Sequence, residues 1–253
     1  MQFASLGSGS RGNATLIQAG STTLMIDCGF SLRETEQRLK TYGVQAQDVA
    51  AILVTHEHSD HIKGVGAFAR KHDTPVWLTY GTAQSARLGV LPKAEHIVVE
   101  NDFRIGDITV TPFSVPHDAS EPCQYRFSDG KRMLGLLTDT GMITPHIIDM
   151  LSGITGLLLE CNHDSAMLQA SDYPESLKQR VAGNYGHLNN QQAADLLTSM
   201  DTSLLTYIAG MHLSENNNTP QLVKEALSTA LAWQTGQINV AHQDLGLSWT
   251  RIN

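Results

Sequence analysis

The chain has 253 residues, 41% apolar and 17% charged, which is enough apolar residue for a sizeable core and excludes a disordered polyelectrolyte. Its 25 acidic residues outnumber 17 Lys and Arg, and with a formal net charge of -8 any contact to nucleic acid would have to be local, though the charge alone decides nothing. Three cysteines, odd in number and without CxxC spacing, argue against a disulfide framework, and no apolar run reaches the roughly 18 residues that nominate a membrane span.

The N-terminal MQFASLGSGSRGN has neither a basic stretch nor a long apolar one, so no export signal is expected and the protein reads as cytoplasmic. Runs of β-formers separated by turn residues predict strands over Phe3–Leu6, Thr15–Gln18 and Thr22–Asp27. A helix follows over Leu32–Tyr42, then a strand over Ala51–Thr55 and a helix over Lys63–His72. Strands are next predicted over Val76–Thr79, Ile97–Val99, Ile108–Val115, Gln124–Phe127 and Met133–Thr138. The remainder alternates: helix Pro145–Leu151, strand Leu157–Glu160, helices Glu175–Ala182 and Asn190–Met200, strand Ser203–Ile208 and helix Pro220–Ala232. Asn189 or Asn190 suits the N-cap of the second-last helix, and Thr219 before Pro220 that of the last. The tail after Asn218 reads as this helix and two strands. Hairpins give way to strand–helix alternation in two similar halves. The expected fold class is α/β (α+β), two mixed sheets packed together with helices outside. No linker-like composition interrupts residues 1–253, so one domain is expected.

The densest chemistry is His56-Glu57-His58-Ser59-Asp60-His61, between an apolar strand and a helix. A tight loop at the carboxyl end of a buried strand is where α/β layers place their active groups. His56 and His58 are two apart, so an extended backbone points both imidazoles the same way, while Asp60 and His61 turn to a second position. Such a loop can serve two cations about 3.5–4 Å apart. Imidazole with carboxylate suits Zn, Mn or Fe better than Ca or Mg.

HxHxDH after a strand resembles the signature of the metallo-β-lactamase fold superfamily. That resemblance implies a four-layer αββα sandwich and further ligands downstream: His117 in Val115-Pro116-His117, Asp139 in Thr138-Asp139-Thr140-Gly141, and His212 in Met211-His212-Leu213-Ser214. By resemblance, His56, His58 and His117 hold one metal and Asp60, His61 and His212 a second, with Asp139 bridging. Asp27, in Ile26-Asp27-Cys28-Gly29, stands where family members often support a metal-bound histidine; it could equally be a turn residue before Gly29.

A water between two cations becomes a nucleophile near neutral pH, a logic that covers amides, thioesters, lactones and phosphodiesters alike. Leu159-Glu160-Cys161-Asn162-His163-Asp164 and Gly186-His187-Leu188-Asn189 resemble segments of the tRNA-maturing ribonucleases and point to phosphodiesters. There the Glu orients the His, which protonates the leaving alkoxide; Glu160 and His187 are the matching residues, and Asp60 and His187 the catalytic candidates. His163 is a candidate for phosphate contact, for support of its neighbours, or for a simple cap. The modest stretch between Asp139 and His212 leaves no room for the β-CASP domain of RNA-processing relatives. The glycine-rich Leu6–Thr15 segment could approach phosphate or simply be a hairpin, and Arg11, Lys63, Arg70 and Lys71 are basic residues near the motif in sequence.

Together with DCG, ExNHD, GHLxN and HLSxxNN, these segments resemble the YycJ/WalJ family from Phe3 to about Asn218. The resemblance implies a 5′-to-3′ exonuclease on double-stranded DNA, with DNA ends as partner and two divalent cations, Zn or Mn (or Fe), as cofactors. The alternatives are a small-molecule phosphodiesterase of the PhnP type and a thioester or lactone hydrolase of the glyoxalase II type. Nothing in the sequence sets the oligomeric state, and no membrane partner is expected.

Overall fold

The structure is a computed structural model that describes residues 1–252. The first half opens with antiparallel strands β1 (Gln2–Gly7), β2 (Ala14–Ala19) and β3 (Thr22–Ile26). Helices then alternate with parallel strands: α1 (Leu32–Thr41), β4 (Val49–Leu53), α2 (Ser59–Ile62), α3 (Val65–His72), β5 (Val76–Thr79), α4 (Tyr80–Ala83) and β6 (Ala94–Ile97). The second half repeats this plan. Antiparallel β7 (Phe103–Ile105), β8 (Ile108–Ser114), β9 (Cys123–Ser128) and β10 (Met133–Leu137) come first. There follow α5 (Pro145–Leu151), β11 (Gly156–Glu160), α6 (Ser165–Ala170), α7 (Glu175–Ala182), α8 (Asn190–Ser199), β12 (Tyr207–Met211), α9 (Pro220–Leu231) and β13 (Asn239–Val240), the strands parallel to one another. The last strand, β14 (Leu247–Arg251), crosses back to pair with β1.

The result is two seven-stranded sheets, ordered β14-β1-β2-β3-β4-β5-β6 and β13-β12-β11-β10-β9-β8-β7. Period-two alternation builds the layers. Ile17, Leu24, Ile26 and Leu53 of the first sheet meet Val110, Phe127, Leu134 and Leu136 of the second in a core between the sheets. Their neighbours Leu16, Met25 and Ile52 point the other way, against Leu39 of α1 and Phe68 of α3. Leu157, Leu159 and Ile208 likewise pack outward on Leu151, Leu196 and Val223 of α5, α8 and α9. Strands covered on both faces read as nearly continuous apolar runs, which is how they stand in the sequence. The expected αββα sandwich is therefore the fold. Among the described residues, no helix is long and apolar enough to cross a membrane.

Several boundaries differ from expectation. The helix expected over Lys63–His72 begins only at Val65, as α3, and is separated from the unexpected short α2 by Lys63 and Gly64, where a Cβ would collide with the carbonyl oxygen of Phe30. The strand expected at Ser203–Ile208 runs instead over Tyr207–Met211, because β11 fixes its register through Gly156↔Tyr207 and Leu159↔Gly210. Gly210 belongs there although glycine disfavours strands: a Cβ would lie 2.6 Å from Val223 Cγ1 of α9. The strand expected at Ile97–Val99 lies earlier, at Ala94–Ile97, with three of its four residues exposed at the sheet edge. β7 and α6 were not expected from the pattern, the latter being too short for a periodic signal and nucleated by Asp164, whose carboxylate accepts from Met167 N at 2.9 Å.

Candidate metal centre and active site

The carboxyl ends of β3, β4, β8, β10, β11 and β12 all lead to one end of the sandwich. They deliver Asp27, the His56–His61 loop, His117, Asp139, Glu160 and His212. Asp27, Asp139 and His212 leave their strands with φ of 60°, 51° and 53°. Left-handed backbone costs a non-glycine residue about 1–3 kcal/mol, so the surrounding structure holds all three in place. Asn13 fastens the histidine loop from the glycine-rich segment: its backbone N–H donates to Asp60 O at 2.8 Å, and its own carbonyl accepts from Gly29 N at 2.9 Å.

Each of five histidines has one ring nitrogen tied to the protein. His56 Nδ1 is 3.0 Å from Thr55 Oγ1, His58 Nε2 3.1 Å from the Asp118 carbonyl, and His117 Nδ1 3.0 Å from the Gly186 carbonyl. His61 Nδ1 lies 2.7 Å from Asp27 Oδ2, and His212 Nδ1 2.9 Å from Asp139 Oδ1. The other nitrogens converge on the centre. A carbonyl only accepts, so His58 Nε2 and His117 Nδ1 carry protons, and in the neutral rings His58 Nδ1 and His117 Nε2 face each other as lone pairs at 3.2 Å. A cation between them relieves that repulsion. His56 Nε2 and His212 Nε2 are buried and have no hydrogen-bond partner. Donor atoms of His56, His58 and His117 lie within 4.8 Å of one another, as do those of Asp60, His61 and His212 and those of His56, His61 and Asp139. The donor set fits divalent cations with imidazole and carboxylate preference.

Electrostatics agree with that fit. Burial pushes His56 and His117 below the ordinary histidine range, keeping both rings neutral as ligands must be. Burial would raise the Asp60 and Asp139 carboxyls, but His61 and His212 outweigh it and hold both well below the usual range. Conversely, burial would lower His61 and His212, yet Asp139 and its neighbouring carboxylates lift both well above 6.5.

Beside the cluster stands a second pair. Glu160 is fully buried; its Oε2 accepts from the backbone N–H of Thr140 at 3.0 Å and of Leu188 at 3.2 Å, and its Oε1 lies 2.8 Å from His187 Nδ1. Burial would lower His187, but Glu160 and Asp139 lift it to about 9. Asp139, Glu160, His187 and His212 also group within 4.8 Å. Because both Glu160 oxygens are already engaged, that grouping is a hydrogen-bond network that orients His187 and His212.

His187, His58, Asp60, Asp139 and His212 line one cavity of about 310 Å³. His163 is not there: it is buried against Asn189 and borders a separate cavity of about 210 Å³ beside Lys178, where burial lowers its ring to about 4. The basic residues singled out from the sequence are also elsewhere. Arg11 pairs with Glu215 at 2.7 Å and Asp244 at 2.9 Å, Lys71 pairs with Glu36 at 2.7 Å, and Arg70 donates to the Leu88 and Val90 carbonyls. Lys63 does not line the cavity. The cations that do are Arg87 and Arg180, neither of which the sequence singles out. Thr55, Asp118 and Asn13 were missed as well. They act through contacts across the fold, for which a single sequence carries no pattern.

A metal-ready cluster of this make-up, at one end of an αββα sandwich, defines a hydrolase of the metallo-β-lactamase fold. A beta-lactamase superfamily domain is matched over residues 22–208. The chain is 37% identical over 235 residues to the exodeoxyribonuclease YycJ of Bacillus anthracis, covering 91% of this chain and 89% of the relative. It is 33% identical over 237 residues to the exodeoxyribonuclease WalJ of Streptococcus pneumoniae, covering 91% and 88%. Among solved structures, the metallo-β-lactamase fold protein YhfI of Bacillus subtilis superposes with a TM-score of 0.76 at 17% identity, covering 98% of each chain. The chain belongs to the YycJ/WalJ family of the β-lactamase superfamily.

Proposed function

We propose that this chain is a two-metal phosphodiesterase that digests double-stranded DNA from its 5′ ends. The observation that carries the reading is the buried Glu160 beside His187, 2.8 Å from Nδ1, at the wall of the metal-site cavity. In this reading His56, His58 and His117 hold one cation, Asp60, His61 and His212 the other, and Asp139 faces both. Bound cations supply a nucleophile at neutral pH and offset charge gathering on phosphorus. The chain's own groups do the rest. Glu160, fixed by two backbone N–H donors, accepts from His187 Nδ1, which leaves Nε2 for the cavity. From there His187 donates a proton to the departing oxygen, a leaving group too poor to depart unprotonated. A thioester or lactone has no need of this acid. The names of the relatives YycJ and WalJ support DNA as the polymer.

The volume of about 310 Å³, small for a nucleic-acid site, favours a second reading as a small-molecule phosphodiesterase. The test is purified protein loaded with Mn²⁺ or Zn²⁺ and given duplex DNA labelled at either end. Early release of the 5′ label is expected. Intact duplex alongside cleavage of a cyclic nucleotide would favour the second reading, and cleavage of thioesters alone would end both.

A further inference from the structure

We propose that Arg87 and Arg180 form a two-sided clamp for neighbouring phosphates of one nucleic-acid strand. The clamp deepens, and rests on, the phosphodiesterase reading of the same site. The two guanidinium groups come from opposite halves of the chain, Arg87 from the turn Ala86–Leu88 after α4 and Arg180 from α7. Both line the cavity that holds Asp60, Asp139 and His187. A lone exposed arginine is ordinary. Two that converge on one cavity, in a chain of net charge -8 whose other basic residues near the motif are paired or turned away, concentrate positive charge at a single place.

Both are positioned. Arg180 Nε donates to Asp118 Oδ2 at 2.7 Å, which fixes the plane of the fork and leaves the two terminal nitrogens for a bidentate anion. The carbonyl of the same Asp118 receives the ring of His58, so Arg180 is registered to the metal cluster. Arg87 itself makes no hydrogen bond or ion pair with any described residue. Its turn is nevertheless braced, since Arg70 Nη1 donates to Leu88 O at 3.2 Å and Val90 O at 2.9 Å. Gly66 lets α3 approach so closely that a Cβ would collide with the Leu88 carbonyl.

Physical chemistry selects the ligand class. Arg87, without a carboxylate partner, and Arg180, paired through Nε alone with Asp118, stand beside a site built for divalent cations and favour a polyanion between them. A single carboxylate or thioester product gives one charge at most; a strand of phosphodiesters supplies one at every step. A duplex presents phosphates of both strands over a broad surface, for which a chain of net charge -8 has little positive charge to spare. One strand, drawn away from the duplex at its end, fits both the cavity and the two arginines. This reconciles a small site with a polymeric substrate.

The test uses the metal-loaded full chain and a phosphorothioate-linked single-stranded DNA decamer carrying a fluorophore, titrated by anisotropy between about 50 and 200 mM salt. Arg87→Gln and Arg180→Gln should each weaken binding roughly tenfold. Each should also lower the slope of log affinity against log salt by about 0.7, the contribution of one phosphate contact on a single strand. Arg180→Lys should recover the slope but only part of the affinity, since an ammonium lacks the fork. Lys131→Gln, in the β9–β10 turn at the opposite end of its sheet, removes the same net charge and should leave the slope near wild type. The clamp is overturned if wild type does not bind the decamer, if both arginine variants bind like wild type, or if Lys131→Gln lowers the slope as much as they do. Arginine-dependent binding of the decamer, with no cleavage of duplex DNA or of a cyclic nucleotide, would leave the clamp standing and remove the phosphodiesterase reading.

Discussion

Asp27 Oδ2 lies 2.7 Å from His61 Nδ1, and both groups are buried. The same carboxylate accepts from Thr55 Oγ1 at 2.8 Å, and its other oxygen from Thr55 N at 2.8 Å. Asp27 therefore holds the His61 ring by one nitrogen and directs Nε2 at Asp139 Oδ2, 2.9 Å away. Partners of this kind are worth about 10–100-fold in metal affinity. Asp27→Ala should lose one of two cations by that factor while the other is retained, as read by Zn²⁺ titration with a competing chelator. Unchanged affinity for both would show that His61 is oriented by packing alone.

Much of this arrangement was legible beforehand. Short apolar runs between turn residues mark β2, β3 and β10, and the HxHxDH loop announces a cluster because three imidazoles and a carboxylate on six residues have few other uses. Other parts were hidden for physical reasons. The left-handed backbone of Asp139 and His212 is imposed by tertiary structure and leaves no mark in their residue types. Arg11 looked available because its partners Glu215 and Asp244 lie some two hundred residues away. Arg87 and Arg180 looked ordinary because only the packed sandwich brings the two halves of the chain to one cavity. The β12 register escaped because Ala209 and Gly210 are poor strand formers that pairing with β11 overrides.

Gly29 marks a place where backbone meets backbone. A Cβ there would collide with the Asp60 carbonyl and come within 2.6 Å of Asn13 N. Neither is the free end of a side chain, so the whole metal loop must shift. Gly29→Ala should cost about 1–3 kcal/mol in urea unfolding, the range for overpacking. It should also weaken metal binding. Gly236→Ala, with nothing within 4 Å of its Cβ, is the matched control. Equal stability of the two variants would contradict the close approach.

Cation loading should release protons. In the metal-free protein, Asp139 and the neighbouring carboxylates lift His61 and His212 well above 6.5 despite burial, so both rings are protonated near neutral pH. Cations require the neutral rings and displace those protons. Chelator-treated protein titrated with Zn²⁺ in weak buffer at pH 7 should acidify the solution. Its apparent affinity should fall as pH is lowered, because a raised pKa makes the proton the stronger competitor. A titration that releases no protons would mean that these rings are already neutral without metal.

The acid role of His187 fixes the sign of a pH profile. Glu160 and Asp139 outweigh burial and lift His187 to about 9 in the metal-free protein; cations nearby act in the opposite direction, so the working value falls at or below that figure. A general acid is competent when protonated, below its pKa, and fails as pH rises through it. Turnover should therefore decline on the alkaline side, with a midpoint at or below about 9. His187→Ala should lower kcat about 10²–10⁴-fold and remove that decline, while metal content stays at two per chain. A substrate whose leaving group needs no proton, such as a p-nitrophenyl phosphodiester, separates the roles. On it the variant should lose far less rate than on DNA. An equal loss on both would assign His187 to holding the substrate or the cluster in place instead of to proton transfer.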